Sequence, residues 1–275
     1  MAAGGSPVCP PCQLAWVDRR VGLALRPLLR SGSALCVGVS GSPASLLLLQ
    51  LLLARRLPPG SARKQRRAHS FSLHVVHVDE ASGLPLPAGA RCDPREVESA
   101  VRLLLARAGA AASGVEVALA PLAAGDMAAL PDATARADLA ARLRQRALLE
   151  FAASRSARLL LADTSGGLAA AALAAVAKGR GGALAAAQQE ARGGGGLIYP
   201  LREVSAKDAA LAARHLHLPS AARLPAHLAP LGAGGKEEDT VDAAAARFVE
   251  RLQAGTPRAV AAILGAVAKM EPRGV

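Results

Sequence analysis

A turn of small residues carries the clearest chemical signal in the chain. It runs Ser40-Gly-Ser-Pro-Ala-Ser45, directly after the short apolar run 34–39 and before a leucine-rich stretch that starts at Leu46. Between a buried strand and a helix, such a turn exposes backbone N–H groups, and the helix dipole adds to their attraction for an anion. It matches neither the Walker loop nor the dinucleotide-binding Gly-x-Gly-x-x-Gly. The turn is therefore predicted as a phosphate-binding loop of another type, or as a plain turn.

Acidic side chains follow two other predicted strands. Asp79 comes directly after the apolar run 71–78, and Asp163 follows the run 158–162 with Thr164 beside it. The second of these repeats the arrangement of strand, small-residue turn and helix. Parallel α/β folds bind ligands at the carboxyl ends of their strands. Asp79 is either a site residue or an ordinary turn acid.

Cys9 and Cys12 form a Cys-x-x-Cys, whose spacing lets both thiolates reach one metal ion from a tight turn. Tetrahedral zinc needs two further ligands. Cys36 lies in an apolar, strand-like run, and Cys92 stands alone in a predicted loop. The pair is therefore predicted as half of a zinc site, or as a knuckle that holds no metal. Four cysteines in a cytosolic chain do not suggest a disulfide framework.

Short apolar runs alternate with helix-like stretches, which predicts an α/β fold with a parallel twisted sheet and helices on both faces. Strands are predicted at 34–39, 71–78, 115–119, 158–162 and 197–201, and helices at 16–30, from 46 onwards, and at 94–108, 131–153, 168–178, 205–217 and 241–253. We predict three parts: residues 1–31 as a Cys-x-x-Cys segment with a basic helix, 32–231 as the α/β domain, and 232–275 as a linker with a helical tail.

Composition narrows the class of protein. Apolar residues make up 52% of the chain and aromatic residues 2%, so the core must consist of Ala, Leu and Val in closely packed helices. No run of about 18 uncharged apolar residues appears, as a membrane-spanning helix would need. The cysteines and prolines at 9–12 interrupt any N-terminal leader. We therefore interpret the chain as a cytoplasmic protein without a membrane partner.

The net charge of +12 predicts a polyanionic partner, with RNA as the natural candidate. Only five of the 33 basic residues are lysine. A GC-rich genome would also favour arginine over lysine, which is the competing interpretation. Such a bias replaces one cation with another, however, and does not by itself produce an excess of positive charge. The charge therefore favours contact with nucleic acid.

The turn resembles the pyrophosphatase loop of ATP-dependent, N-type adenylating enzymes, whose pattern is Ser-Gly-Gly-x-Asp-Ser. Ser40, Gly41 and Ser45 match this pattern, Ser42 replaces the second Gly, and Ala44 replaces the Asp. In that family the acid helps to hold the metal-bound triphosphate, and a methyl group cannot coordinate Mg²⁺. The resemblance implies ATP as the cofactor of a degenerate nucleotide-binding loop formed by Ser40, Gly41, Ser42 and Ser45, with Asp163 and Thr164 across from it. We expect no catalytic residue and no adenylation by this chain alone.

Five later segments, in order, extend the resemblance along the chain. They are Val76-His-Val-Asp-Glu80, Leu161-Ala-Asp-Thr164, Ala177-Lys-Gly-Arg-Gly181, Tyr199-Pro-Leu-Arg202 and Phe248-Val-Glu-Arg-Leu-Gln253. Together with the turn, they resemble the cytoplasmic tRNA 2-thiolation protein 2 family, which has an adenine-nucleotide alpha-hydrolase-like, PP-loop fold. That family usually has a second, upstream Cys-x-x-Cys and an Arg after its Gly-Asp-Ser, and this sequence has neither.

The resemblance implies a heterodimer with the catalytic thiouridylase. There, sulfur arrives as a thiocarboxylate on a ubiquitin-related modifier protein, the partner activates the wobble uridine of tRNA Lys, Glu or Gln with ATP, and this subunit holds tRNA. The candidate tRNA-binding residues, chosen for their charge, are Arg63, Lys64, Arg66, Arg67, Lys178, Arg180 and Arg202. Two rival hypotheses are an autonomous adenylating enzyme that ligates tRNA or a small molecule, and a chain too decayed to do either job.

Overall fold

The computed structural model describes residues 9–29, 32–56, 69–80, 93–122, 130, 132–181, 197–219 and 240–269. The strands are β1 (Ser33–Gly38), β2 (Phe71–Asp79), β3 (Glu116–Pro121), β4 (Arg158–Leu160) and β5 (Leu197–Ile198). The helices are α1 (Pro10–Leu25), α2 (Pro43–Leu53), α3 (Pro94–Ala108), α4 (Ala133–Ser154), α5 (Ser165–Ala177), α6 (Ala206–His215), α7 (Val241–Gly255) and α8 (Pro257–Ala268), with a 3₁₀ turn at Gly109–Ala112. No helix in these ranges is both long and apolar enough to cross a membrane.

The five strands form one parallel sheet in the order β3-β2-β1-β4-β5. At the centre, Val37 of β1 is in register with Val75 of β2 on one side and with Leu160 of β4 on the other. The chain builds outwards from β1 through β2 to β3 and then returns to the other side of β1. This confirms the predicted parallel sheet and puts the reversal of strand order between β1 and β4.

Helices cover both faces of the sheet, as predicted. On one face, α1, α2, α3 and α6 pack on a leucine- and valine-rich core that includes Leu35, Val37 and Val75. On the other face, α4 packs on Cys36, Val76 and Leu159. Seven of the eleven residues of α2 are buried leucines, so this helix is apolar on nearly every side. A buried central helix of this kind fixes the position of the turn that precedes it.

The predicted boundaries of α1, α5, β4 and β5 were wrong. Helix α1 spans Pro10–Leu25 and not 16–30, because the two prolines after Cys9 suit the first turn of a helix. Helix α5 begins at Ser165, so Gly166 and Gly167 lie in its first turn and not in the loop before it. Strands β4 and β5 are shorter than predicted. The difference at α5 brings Gly166 and Gly167 into the first turn of a helix.

The C-terminal helices pack on α5 through small side chains. Ala169, Ala170, Ala246, Val249 and Val260 form one apolar cluster. At the edge of this cluster, Lys178 Nζ donates to Asp138 of α4 at 2.7 Å and to Asp242 of α7 at 2.8 Å. The lysine side chain is only 11% exposed. Lys178 therefore joins three helices by a nearly buried ion pair.

Replacing Lys178 with Ala should lower the free energy of unfolding by about 3 kcal/mol, because two partly buried carboxylates lose their shared cation. Urea unfolding followed by circular dichroism measures the change. Lys207→Ala is the matched control, since Lys207 is exposed on α6, and it should change stability by less than about 0.5 kcal/mol. Equal effects of the two substitutions would contradict a structural role for Lys178.

A second ion-pair cluster lies on the sheet at Glu116, the first residue of β3. Arg155 donates to both carboxylate oxygens of Glu116, and His74 Nδ1 lies 2.8 Å from Oε2. Arg155 also lies over the ring of Phe151, with 3.6 Å from Cζ to the ring centroid. The hydrogen bonds from Arg155 lower the pKa of Glu116 from its ordinary value to about 2, and those from His74 add to the effect.

This depressed pKa predicts a dependence of stability on pH. A carboxylate whose pKa is lower in the folded state stabilises the fold fully above its unfolded pKa of about 4.3, and the contribution is lost as pH falls towards 2. Glu116→Gln should therefore flatten the decline in stability between pH 4.5 and pH 2. The change should be modest because the Glu116 side chain is 42% exposed. Unfolding curves that keep the wild-type slope in this range would contradict the assignment.

Candidate functional site

The carboxyl ends of β1, β2 and β4 bring three segments to one edge of the sheet. These are the turn 40–45 after β1, Asp79 and Glu80 at the end of β2, and Asp163 with Thr164 after β4. Strand order reverses between β1 and β4, and α/β sheets bind ligands at such a reversal. The edge is therefore the candidate functional site, and we call it the cleft.

The turn 40–45 is held by its own serines. Ser42 is the N-cap of α2, and its Oγ accepts from the Ser45 backbone N–H at 3.3 Å. Ser45 Oγ donates to the Ser42 carbonyl at 2.9 Å, and Ser40 Oγ lies 3.1 Å from Ser42 Oγ. Gly41 has φ +79°, a left-handed conformation that glycine adopts without strain. The turn therefore keeps its shape without a ligand.

Ala44 stands where the resembling loop pattern has an aspartate, and its side chain packs on the core. Ala44 is half-buried and contacts the main apolar core, and Ser45 is only 2% exposed. Pro43 takes the first helical position, where its missing N–H is not needed. No carboxylate stands between Ser40 and Ser45. The loop therefore offers hydroxyl and N–H groups to a ligand but no metal-ligating oxygen of an acid.

The second loop of the cleft leads into α5. Thr164 is the N-cap of α5, is 9% exposed, and makes no capping hydrogen bond with its side chain. The Ser165 N–H donates to the Val204 carbonyl at 2.9 Å, which fixes the loop against the turn after β5. The next two residues are Gly166 and Gly167, and Gly166 is buried beneath the side chain of Gln253. The N-terminus of α5 is thus less well capped than that of α2.

Asp163 provides the carboxylate of the cleft. Its side chain is exposed, yet the surrounding walls displace enough water to raise its pKa, while Arg144 of α4 acts in the opposite direction. Burial, together with the charge of Asp163, raises the pKa of Tyr199 to about 12. Arg144 also pairs with Glu80, with Nε to Oε1 at 3.3 Å. A carboxylate with a raised pKa at the carboxyl end of a parallel strand is a candidate functional group.

The candidate tRNA-binding residues lie in different settings. Lys178 is committed to Asp138 and Asp242, and Arg180 donates to Asp138 at 2.6 Å while 41% of its side chain stays exposed. Arg202 is exposed in the turn after β5. Arg63, Lys64, Arg66 and Arg67 lie outside the described residues. The structure thus brings Arg202, but not Lys178, to the loop side of β5.

Cys9 and Cys12 lie together at the start of α1 and not in the predicted tight turn. Cys9 is the N-cap, Cys12 is in the first turn, and both are exposed. A hydrogen bond between the two sulfur atoms lowers the pKa of Cys9 and raises that of Cys12. Within the described ranges, no group of three or more His, Cys, Asp or Glu side chains could hold a metal ion. The pair supplies two ligands of a zinc site at most.

The sequence analysis missed three residues that face or border the cleft. These are Arg144, Tyr199 as a neighbour of Asp163, and Gln253 at the end of α7, whose side chain packs against Gly166. Each lies far along the chain from the loop that it meets. No local spacing could have identified them, although Tyr199 and Gln253 both fall inside segments that carry the family resemblance.

Comparisons with known proteins support the fold and leave the family open. No family model matches the chain, and no curated protein matches it. The chain is similar in structure to the U34-tRNA thiolase NcsA from Methanococcus maripaludis, solved with its [4Fe-4S] cluster. The TM-score is 0.71 and the identity 16%, over 96% of this chain and 80% of that one. The chain has the PP-loop fold.

Two synthetase structures also resemble the chain at lower scores. NMN synthetase from Francisella tularensis gives a TM-score of 0.49 with 13% identity, over 98% of this chain and 99% of that one. NAD⁺ synthetase from Burkholderia pseudomallei gives 0.45 with 19% identity, over 93% and 91%. With scores under 0.5, neither synthetase bears on the fold assignment.

Two substitutions at Ser42 should separate its capping role from its size. Ser42→Ala removes the acceptor for the Ser45 N–H and should lower the free energy of unfolding by about 1 kcal/mol, whereas Ser42→Gly should cost only a few tenths. Urea unfolding measures both. If Ser42→Ala and Ser42→Gly lower the free energy of unfolding by the same amount, Ser42 does not act as a cap.

Proposed function

We propose that the cleft binds an adenine nucleotide and that the chain is the non-catalytic subunit of a tRNA wobble-uridine 2-thiolation complex. One observation carries the proposal: the turn 40–45 is pre-formed as a helix N-cap, yet Ala44 packs into the core where an acid is expected. A loop of this kind can hold phosphate through N–H and hydroxyl groups. It cannot ligate Mg²⁺ for adenylation.

The assignment to tRNA thiolation has two supports. One is the ordered set of segments, from the turn to Phe248–Gln253, that resembles the tRNA 2-thiolation protein 2 family. The other is the fold that the chain shares with a protein named as a U34-tRNA thiolase. In this proposal the chain forms a heterodimer with a catalytic thiouridylase in the cytoplasm. A thiocarboxylated ubiquitin-related modifier protein supplies sulfur for tRNA Lys, Glu and Gln.

Positive charge supports the tRNA-holding role. The chain carries a net charge of +12, and phosphate contacts dominate the affinity of most nucleic-acid-binding proteins. Arg202 and Arg180 are the exposed candidates, and the group Arg63, Lys64, Arg66 and Arg67 stays a prediction. Lys178 is better explained as the centre of an ion-pair cluster. Zinc at Cys9 and Cys12 also stays a prediction, because two more ligands would have to come from elsewhere.

The rival hypothesis is an autonomous adenylating enzyme, and the carboxylate of Asp163 in the cleft is the observation that favours it. We expect the isolated chain to catalyse no ATP–pyrophosphate exchange with tRNA and Mg²⁺ present. A known adenylating enzyme serves as the positive control for the assay. Turnover by the wild-type chain that disappears in Asp163→Asn would establish the rival and remove the non-catalytic role.

Deleting the gene tests the same proposal in cells. Wobble 2-thiouridine, measured by mass spectrometry of digested tRNA, should disappear and should return with the wild-type gene. Unchanged thiouridine would contradict the proposal. Co-purification at low salt addresses the decayed-chain hypothesis, since a chain that retains neither thiouridylase nor tRNA would support that hypothesis instead.

A further inference from the structure

Helix α7 runs antiparallel to α5 along its length. Near the start of α7, Asp242 accepts from Lys178, the residue that follows α5, at 2.8 Å and 2.9 Å. Near the end of α7, Gln253 contacts Gly166 in the first turn of α5. Since the N-terminus of α5 borders the cleft, helix α7 brings a glutamine to the second loop.

Gln253 occupies space that only a glycine at position 166 leaves open. A methyl group on Gly166 would lie 2.7 Å from Gln253 Nε2 and 3.2 Å from Oε1. The glutamine is half-buried, and its side chain makes no hydrogen bond within the described residues. A partly buried carboxamide is normally hydrogen-bonded. Its donor is therefore available to a ligand.

Thr164 gives a second, independent indication of a ligand at the start of α5. Only 9% of Thr164 is exposed. Its hydroxyl makes no capping hydrogen bond although the residue is the N-cap of α5. A methyl group on Gly167 would lie 3.8 Å from the Thr164 hydroxyl and 3.9 Å from Asp163 Oδ1. Asp163 thus lies on the Gly167 side of the turn. The Thr164 hydroxyl also borders the Gly167 position, and Gln253 packs against the neighbouring Gly166.

We infer that Gln253 is a ligand-contacting residue of the cleft, whose Nε2 donates a hydrogen bond to a phosphate oxygen held at the N-terminus of α5. Unpaired N–H groups of the first turn and the Thr164 hydroxyl complete the donor set. The inference rests on the proposed adenine-nucleotide cleft and adds the C-terminal tail to it. The glycine at position 166 makes room for the Gln253 side chain.

Isothermal titration of the full chain with ATP, inorganic pyrophosphate and adenosine tests this role. Gln253→Ala should weaken ATP and pyrophosphate about 10-fold, as expected for a lost hydrogen bond to a charged group. Gln253→Glu should weaken both ligands further, because a carboxylate would face the phosphate. Adenosine, which has no phosphate, should bind to all variants equally. Glu250→Ala, on the exposed side of α7 one turn earlier, is the matched control and should behave as wild type.

The outcomes separate this inference from the proposed function. If the wild-type chain binds none of the three ligands, the nucleotide cleft itself is wrong, and the role of Gln253 is wrong with it. If the wild type binds ATP and Gln253→Ala binds it as tightly, only the inference about Gln253 is wrong. An equal loss of ATP and adenosine affinity would show that Gln253 merely supports the fold.

Discussion

The first backbone N–H groups of a helix have no partner within the helix, and the cleft is organised around this constraint. Helices α2 and α5 both begin just beyond the carboxyl ends of neighbouring central strands, β1 and β4. Their unpaired N–H groups therefore meet at one edge of the sheet. The two helices differ in their capping. The Ser42 side chain accepts a hydrogen bond from a backbone N–H of α2, whereas the Thr164 side chain makes no such bond at the start of α5. A bound anion would therefore satisfy more unpaired N–H groups at the start of α5 than at the start of α2.

Charge in the cleft is distributed to match this asymmetry. The loop before α2 contains hydroxyl groups and no acid. Ala44, at the position where an acid is expected, packs on the core and therefore contributes to the fold. Among the acidic side chains of the cleft, Asp163 has a raised pKa and is partly compensated by Arg144, which itself pairs with Glu80. In the proposed function, this loop without an acid would favour the binding of a polyphosphate over its activation.

Much of the fold could be predicted from the sequence, because a parallel sheet depends on local alternation. Short apolar strands and helical stretches are visible in the residues themselves, and the turn 40–45 lies where the pattern places it. The starts of α1 and α5 were misplaced, since prolines after Cys9 and glycines after Ser165 suggest loops when tertiary packing is unknown. Arg144 and Gln253 could not be found, because their positions in the cleft depend on contacts between distant segments.

The alanine-rich composition of the chain also explains how helix α7 is held close to α5 and the cleft. With alanines on facing sides, such as Ala169, Ala170 and Ala246, helices α5 and α7 can approach closely. Close packing then fixes the lengthwise register of α7 at both ends. A slip of one turn, about 5.4 Å, would separate Lys178 from Asp242 and would also withdraw Gln253 from Gly166. The ion pair at one end of α5 therefore determines which side chain reaches the ligand edge at the other.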